Sequence, residues 1–425
     1  APSLVLMRHP RLPEIVKCIF LFVVIGLGCS ALYGSGGVSE LLEAVFVPDA
    51  TAIPVLDLSN TMPKNDRKRS KKATKQGMQL RELHSLLQHL RLENYSELAC
   101  VAIADGRATV QHMHENVNSP YGYYHGMARR FFTDVAQTHP LHGWNGVAVI
   151  MTQDDATLPA TAVSQLRRAG MPLLAHSIQR RAAADAVLIP DWHFISTFGF
   201  REIIASLKRM RSASPTPLAK RLPVVYWRGS TTGSPCITLI DGKQPLPGPC
   251  PRTCDGLQRT RLVSQLRNVS WADVKYSSVV DWCQGSRKAL ENAGLMAAEG
   301  RVPELNWTFR RGVLDIDGHV NAWGLFWRLH SGSVVFRVES GQINSYIREL
   351  KPNVHYVPIL PDLSDAREAT RRVVSARELG RFAQMVKAAK EVAMNFTYER
   401  ETLRVAKELR DAWRAGRTLQ RRPTR

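Results

Sequence analysis

Residues 315–365 read DIDGHVNAWGLFWRLHSGSVVFRVESGQINSYIRELKPNVHYVPILPDLSD, and the fold is decided there. Asp317-Gly318 is a turn signal. An apolar, helix-like run follows, with Arg328 embedded in it. Ser331-Gly332-Ser333 then turns the chain into a short β run, Val334 to Val338. A second helix is expected next, followed by the extended segment HYVPI and a stop rich in Asp and Ser. Strand, helix and strand in alternation suit half of a doubly wound α/β domain, whose ligand crevice lies beyond the carboxyl ends of its strands.

The same alternation extends towards the N-terminus. Gln76 to Glu97 has Leu80, Leu83, Leu86, Leu87 and Leu90 on one helical face. Asn94 to Thr109 reads as a strand and a turn at Asp105-Gly106, and Gly126 to Val135 as a helix. Val147 to Thr152 is a fully apolar β run that ends in Gln153-Asp154-Asp155. Met171 to His176 and Ala186 to Pro190 are further strands. The segment DWHFISTFGF is expected as a loop, and Arg201 to Arg211 as a helix. Ser212 to Pro223 (SASPTPLAKRLP) has linker composition. Val224 to Trp227 opens a second domain as a strand, with Arg228 to Gly233 as the turn after it. Ala366 to Trp413 is rich in Ala, Glu, Arg and Lys and is expected to be helical.

The chain of 425 residues is long enough for two domains with sizeable cores. Lys and Arg total 57 against 37 acidic residues, a formal net charge of +20. That excess favours negatively charged partners: nucleic acid, anionic membrane, acidic glycan or nucleotide-sugar. Part of it is local, in KNDRKRSKKATK from Lys64 to Lys75, which has the composition of a solvated linker.

Near the N-terminus, Arg8, Arg11 and Lys17 precede the apolar run CIFLFVVIGLGCSALY, Cys18 to Tyr33. Its length, at the lower edge for a membrane span, and the basic flank before it suit a signal anchor with the N-terminus cytoplasmic. The small residues at Ser30-Ala31 and Gly34-Ser35 would also suit a cleaved signal peptide. Either way, Val38 onward is expected in the secretory pathway, in the ER or Golgi lumen, and the anchor reading gives a single-pass type II membrane protein. Four sequons then become usable, at Asn94, Asn268, Asn306 and Asn395. Cys236, Cys250 and Cys254 share a Pro/Gly-rich insertion that looks like a loop stapled to itself. His112, His114, His125, His139 and His142 are dense, but their spacing fits no standard metal motif.

Three places could carry chemistry. The strand ending at Asp154-Asp155 delivers two carboxylates to an active-site edge, or a cap to a helix. Trp227-Arg228-Gly229-Ser230 stands where a strand runs into a glycine turn. Glycine lets backbone N–H groups approach a phosphate, and arginine adds forked, charge-assisted hydrogen bonds. A buried arginine pairing an acid would use the same residues, so both readings stay open. Trp192, in Asp191-Trp192-His193-Phe194, suits either stacking on a ligand ring or core packing.

Asp317-Gly318, Ser331-Gly332-Ser333-Val334-Val335, Leu350-Lys351-Pro352, His355-Tyr356-Val357-Pro358 and Asp362-Leu363-Ser364-Asp365, in that order, resemble glycosyltransferase family 90. That family includes Rumi-like protein O-glucosyltransferases and fungal capsule xylosyltransferases. The resemblance spans roughly Trp144 to Trp413. It implies an α/β fold of GT-B type: two Rossmann-like doubly wound domains facing a cleft, with the last helix crossing back to the first domain. From the apolar run and the basic stretch, residues 1–37 would be a cytoplasmic tail and signal anchor, and 38–75 a basic stem. Residues 76–211 would form the acceptor-side domain, 212–375 the UDP-sugar domain, and 376–425 the returning helices and basic tail.

The resemblance also implies a reaction. The donor would be UDP-glucose or UDP-xylose, and the acceptor a hydroxyl of a protein or polysaccharide. The transfer would be an inverting displacement with no metal and no cofactor beyond the donor. Asp154, or Asp155 in the alternative register, would be the general base. Arg228, Gly229, Ser230, Arg261, Asp317, Gly318, Arg328 and Ser333 would surround the UDP-sugar, with Trp192 lining the cleft. Asp315-x-Asp317 is not taken as a metal-binding pair. Two departures stand out: Asp155-Ala156 replaces the aromatic-Pro pair after the strand-end Asp, and Gly324 stands where several members carry Arg. Arg328, one helical turn on, is expected to neutralise the diphosphate instead. A catalytically degenerate glycan-binding or nucleotide-sugar-binding relative is the alternative. A basic nucleic-acid-binding protein is a second, but the apolar run and sequons oppose it and no motif of that class is present, so no nucleic acid is expected as a partner.

Overall fold

A computed structural model of the chain describes residues 85, 87–89, 98–112, 122–138, 141, 143–151, 158, 160–213, 216–233, 254–280, 286–319 and 321–420. The side chains of 111, 112, 122, 123, 125, 255, 286 and 417–420 are excepted. These residues fall in one compact unit, Ser70–Arg425.

The first half holds β1 (Leu98–Ala104), β2 (Arg107–His112), α1 (Gly122–Gln137), β3 (Gly146–Met151), α2 (Ala160–Arg168), β4 (Leu173–Ala175), β5 (Ser177–Gln179), β6 (Ala186–Leu188), α3 (Trp192–Ser196) and α4 (Arg201–Ala213). The second half holds β7 (Leu222–Ser230), α5 (Gln258–Leu266), β8 (Ala272–Ser278), α6 (Ser286–Asn292), α7 (Glu304–Trp307), β9 (Arg310–Asp315), α8 (Leu325–His330), β10 (Val334–Val338), β11 (Gln342–Asn344) and β12 (Val357–Ile359). Helices α9 (Ala366–Arg371), α10 (Leu379–Ala393) and α11 (Tyr398–Gln420) close the chain.

The first sheet has the order β2-β1-β3-β4-β6. Asp105 (φ 51°) and Gly106 (φ 71°) are both left-handed, which is the two-residue hairpin turn that their sequence announces. β1 runs antiparallel to β3, while β3, β4 and β6 are parallel. Every residue of β3 (GVAVIM) is buried, as expected of a strand covered on both faces.

The second sheet has the order β12-β10-β9-β7-β8 and is parallel throughout. The chain leaves β7 for β8 on one side and returns to β9 on the other. The strand order therefore reverses between β7 and β9, where a crevice opens beyond the carboxyl ends.

A two-stranded ribbon joins the halves. β5, directly after β4, pairs antiparallel with β11, directly after β10. Arg180 N–H donates to the Gly341 carbonyl at 2.9 Å. Asp191, just after β6, caps α3 through the Phe194 N–H at 2.8 Å and accepts the Tyr346 hydroxyl. The carboxyl ends of the two sheets are thereby turned towards each other.

The last helix returns to the first sheet. Tyr398 donates to Asp134 on α1 at 2.7 Å, Arg404 to the Leu188 carbonyl of β6 at 2.8 Å, and Trp413 Nε1 to the Val147 carbonyl of β3 at 2.8 Å. The Trp413 indole lies flat on Gly146, where a Cβ would come within 2.5 Å of the ring. Gly146→Ala is therefore expected to overpack this seam and cost about 1–3 kcal/mol, seen as a lower urea midpoint. An unchanged midpoint would mean that the indole can step aside freely.

Several sequence expectations are corrected. The linker Ser212 to Pro223 is largely structured: Ser212 and Ala213 finish α4, Leu218–Lys220 form a 3-10 turn, and Leu222 already opens β7. Leu222 N–H donates to the Phe309 carbonyl, so the sheet extends into it. The segment DWHFISTFGF contains α3 because Asp191 caps it. Phe198 (φ 50°), Gly199 (φ 77°) and Phe200 (φ 55°) then turn the chain into α4. The helix expected before HYVPI is instead β11 and a 3-10 turn, Ile347–Glu349. Pairing with β5 claims Gln342–Asn344, and the Asn344 side chain accepts the N–H groups of Tyr346 and Ile347, which ends the strand.

The apolar run Cys18 to Tyr33 lies outside the described residues. Among those described, no helix is long and apolar enough to cross a membrane. Cys254 is disulfide-bonded to a partner outside the described residues, and Cys100 is a free, buried thiol.

Candidate active site

Three loops leave the carboxyl edge of the second sheet: after β7 and β9, which flank the reversal point, and after β12 at the edge. The first turn of α5 gathers all three. Arg259 donates to the Ser230 carbonyl at 3.0 Å and to Thr232 Oγ1 after β7, and to the Ile316 and Asp317 carbonyls at 3.0 and 3.1 Å after β9. Gln258 Nε2 donates to the Pro361 carbonyl at 2.7 Å, and Arg261 to the Asp362 carbonyl at 2.8 Å. Arg259 is buried, has no carboxylate among these partners, and is pushed down to about 10 by that burial. A cation clasped by carbonyls at a helix N-terminus makes this corner attractive to an anion.

Gly318 sits in the clasp. A Cβ there would lie 3.0 Å from Thr232 Oγ1 and 3.3 Å from Arg259 Nη2, so a larger residue would have to push these two side chains aside. Gly318 N–H also donates to the Asn321 carbonyl at 2.8 Å, which closes the turn expected at Asp317-Gly318. Sequence reasoning placed Ser230, Arg261, Asp317 and Gly318 in the site, and all four meet here. It missed Arg259. The available signal was QRTRL, where the two arginines, two residues apart, project from different sides of one helix.

Beneath the clasp lies a buried charge cluster. Asp315, with no solvent exposure, accepts from both Arg328 and Arg337. Asp317 accepts from Arg337 at 3.4 Å and from Ser340 Oγ at 2.6 Å. Burial raises the Asp317 carboxyl, reinforced by Asp315 and opposed by Arg337. Both carboxylates of Asp315-x-Asp317 are thus engaged by guanidinium groups rather than open to a cation.

Five expected site residues have other roles. Arg228 lies inside β7, since the strand runs on to Ser230. Its Nε and Nη2 donate to Glu299, its Nη2 also to Asp273, and its Nη1 to the Trp227 and Asp273 carbonyls. All five N–H groups are engaged, so this is the buried arginine pairing acids. Gly229 serves packing, because the Trp227 ring covers the place a Cβ would occupy. Arg328 is held by Asp315 and lies over the Trp307 and Trp327 rings, 5.1 and 5.5 Å from their centroids. A Cβ on residue 324 would come within 2.7 Å of the Arg328 guanidinium carbon, so Gly324 makes room for it. The charge expected to neutralise a diphosphate is therefore already neutralised.

Ser333 lies at the opposite edge, just before β10 begins. There it accepts from Arg221 at 3.0 Å and donates to the Arg310 carbonyl at 2.8 Å. Trp192 is buried against His176 and Tyr124, so it packs the core rather than lining a cleft. Its neighbour His193 is exposed and stacks on Trp323 at 5.4 Å, across the two halves. Asp154 and Asp155 lie outside the described residues, a few positions after β3 ends at Met151. The side chains of His112, His114, His125, His139 and His142 are outside them too. Among described residues no cluster of His, Cys, Asp or Glu could hold a metal ion.

A family model described as glycosyl transferase family 90 matches residues 147–399. No curated protein matches the chain at a significant level. Among solved structures, the crystal structure of Anabaena Alr3699/HepE in complex with UDP aligns at 12% identity. It covers 59% of this chain and 76% of that one, with a TM-score of 0.30.

Proposed function

The chain belongs to glycosyl transferase family 90, and from that premise we propose that it moves glucose or xylose from a UDP-sugar to a hydroxyl of a protein or glycan acceptor. The observation that carries the reading is the Arg259 clasp at the strand-order reversal. Facing carboxyl edges and a last helix that returns to the first sheet support the GT-B architecture. The UDP diphosphate would sit against the N-terminus of α5, with Arg261 at the rim and Ser230 and Gly318 on the loops. Asp154, with Asp155 as the alternative, would take the proton of the acceptor hydroxyl as its oxygen attacks the anomeric carbon. The C–O bond to UDP breaks on the opposite face in the same displacement, which inverts the sugar. Positive potential from α5 and the arginines would stabilise the leaving diphosphate, so the reaction would need neither metal nor further cofactor. The apolar run at 18–33 supports a luminal catalytic region anchored by a type II membrane helix.

Calorimetric titration of UDP tests the donor site. Saturable binding is expected, and no binding would remove the reading. Gly318→Ala should weaken that binding about tenfold, or ~1.4 kcal/mol, by prising Thr232 and Arg259 apart. Unchanged UDP affinity in this variant would move the donor away from the clasp. A second reading, a relative that binds nucleotide-sugar without turnover, is favoured by Gly324 and by the neutralised Arg328. Normal UDP binding with no transfer distinguishes it.

A further inference from the structure

Three Asn-x-Ser/Thr triplets fall among the described residues, and all three asparagines are exposed. Asn268 lies in the turn between α5 and β8. Asn306 is in α7, shortly before β9. Asn395 follows α10, whose final residue Ala393 has its backbone against the His330 ring, and His330 stands just ahead of β10. Each triplet therefore sits at the amino edge of the second sheet, opposite the crevice.

That edge also carries exposed apolar side chains. Leu222, Phe309 and Met394 are 57%, 50% and 47% exposed. Phe309 directly follows the triplet at Asn306, and its carbonyl accepts the Leu222 N–H at 3.0 Å. Met394 directly precedes Asn395. Phe309 and Met394 are thus each next in sequence to a triplet, within reach of a sugar attached there.

We propose that Asn268, Asn306 and Asn395 carry N-linked glycans, and that those at Asn306 and Asn395 cover the apolar side chains of the amino edge. This rests on the secretory placement proposed above. In each transfer the Asn amide nitrogen forms a bond to the anomeric carbon of a lipid-diphosphate-linked oligosaccharide. The lipid diphosphate departs, and the amide loses one proton. At Asn395 the sugar occupies Nδ2, leaving Oδ1 to keep its hydrogen bond from Arg400.

The test is peptide mapping of the full chain made in a eukaryotic secretory host, before and after PNGase F. The expected result is conversion of Asn to Asp at 268, 306 and 395 by the glycosidase. Unmodified asparagines at these positions, or a chain that never enters the pathway, would overturn the assignment. Deglycosylating the folded protein should then raise binding of an apolar dye. Asn306→Gln with Asn395→Gln should reproduce that rise, whereas Asn268→Gln should not. Dye binding unchanged by PNGase F would overturn the covering role, and UDP binding, measured in parallel, is expected to be unaffected.

Discussion

Asp154→Asn is expected to lower sugar transfer by about 10²–10⁴-fold while leaving UDP affinity unchanged. The amide keeps the size of the carboxylate but cannot take a proton from the attacking hydroxyl. The donor would bind at the carboxyl edge of the second sheet, whereas Asp154 follows β3 of the first, so binding and proton abstraction are separable. Single-turnover transfer beside a UDP titration reads both. Asp155→Asn serves as the companion: the larger loss should fall on whichever aspartate is the base. Full activity in both variants would remove the general-base assignment from this strand end.

Asp315→Ala is expected to destabilise the fold by about 3–5 kcal/mol. Asp315 is fully buried between Arg328 and Arg337. Its loss takes the carboxylate from Arg328 and leaves Arg337 with Asp317 alone, both guanidinium groups being away from water. The cost is the uncompensated charge more than the missing bonds. Urea unfolding of the purified variant measures it. A loss below about 1 kcal/mol would mean that water or a rearranged Asp317 satisfies both arginines. Because the cluster underlies the loop carrying Gly318, weaker UDP binding should accompany the lost stability.

Much of the second half was legible in its sequence. Val334 to Val338 forms the expected strand, and the Asp317-Gly318 turn stands at the carboxyl end of β9. The hairpin turn at Asp105-Gly106 and the apolar β3 were equally plain, since local chemistry fixes each. What could not be read depends on partners distant in the chain. Gln342–Asn344 looks helical until β5 pairs with it. Arg228 carries a phosphate-binding context, yet Asp273 and Glu299, far along the chain, claim its fork. Ser333 and Asp317-Gly318 lie close in sequence, but Asp317-Gly318 follows the carboxyl end of β9 and Ser333 precedes the amino end of β10, at opposite edges of the sheet. Arg337 carries a legible signal of its own: a charge inside the apolar strand VVFRV demands a buried acid, and Asp315 and Asp317 supply it.

UDP release by the full chain, offered a panel of UDP-sugars with EDTA present, tests the central claim most directly. Release from UDP-glucose or UDP-xylose, undiminished by EDTA and lost in Asp154→Asn, is the predicted result. Absence of release from every sugar, by a chain that binds UDP and is supplied with protein and glycan acceptors, would contradict it and leave a binding protein in place of a transferase.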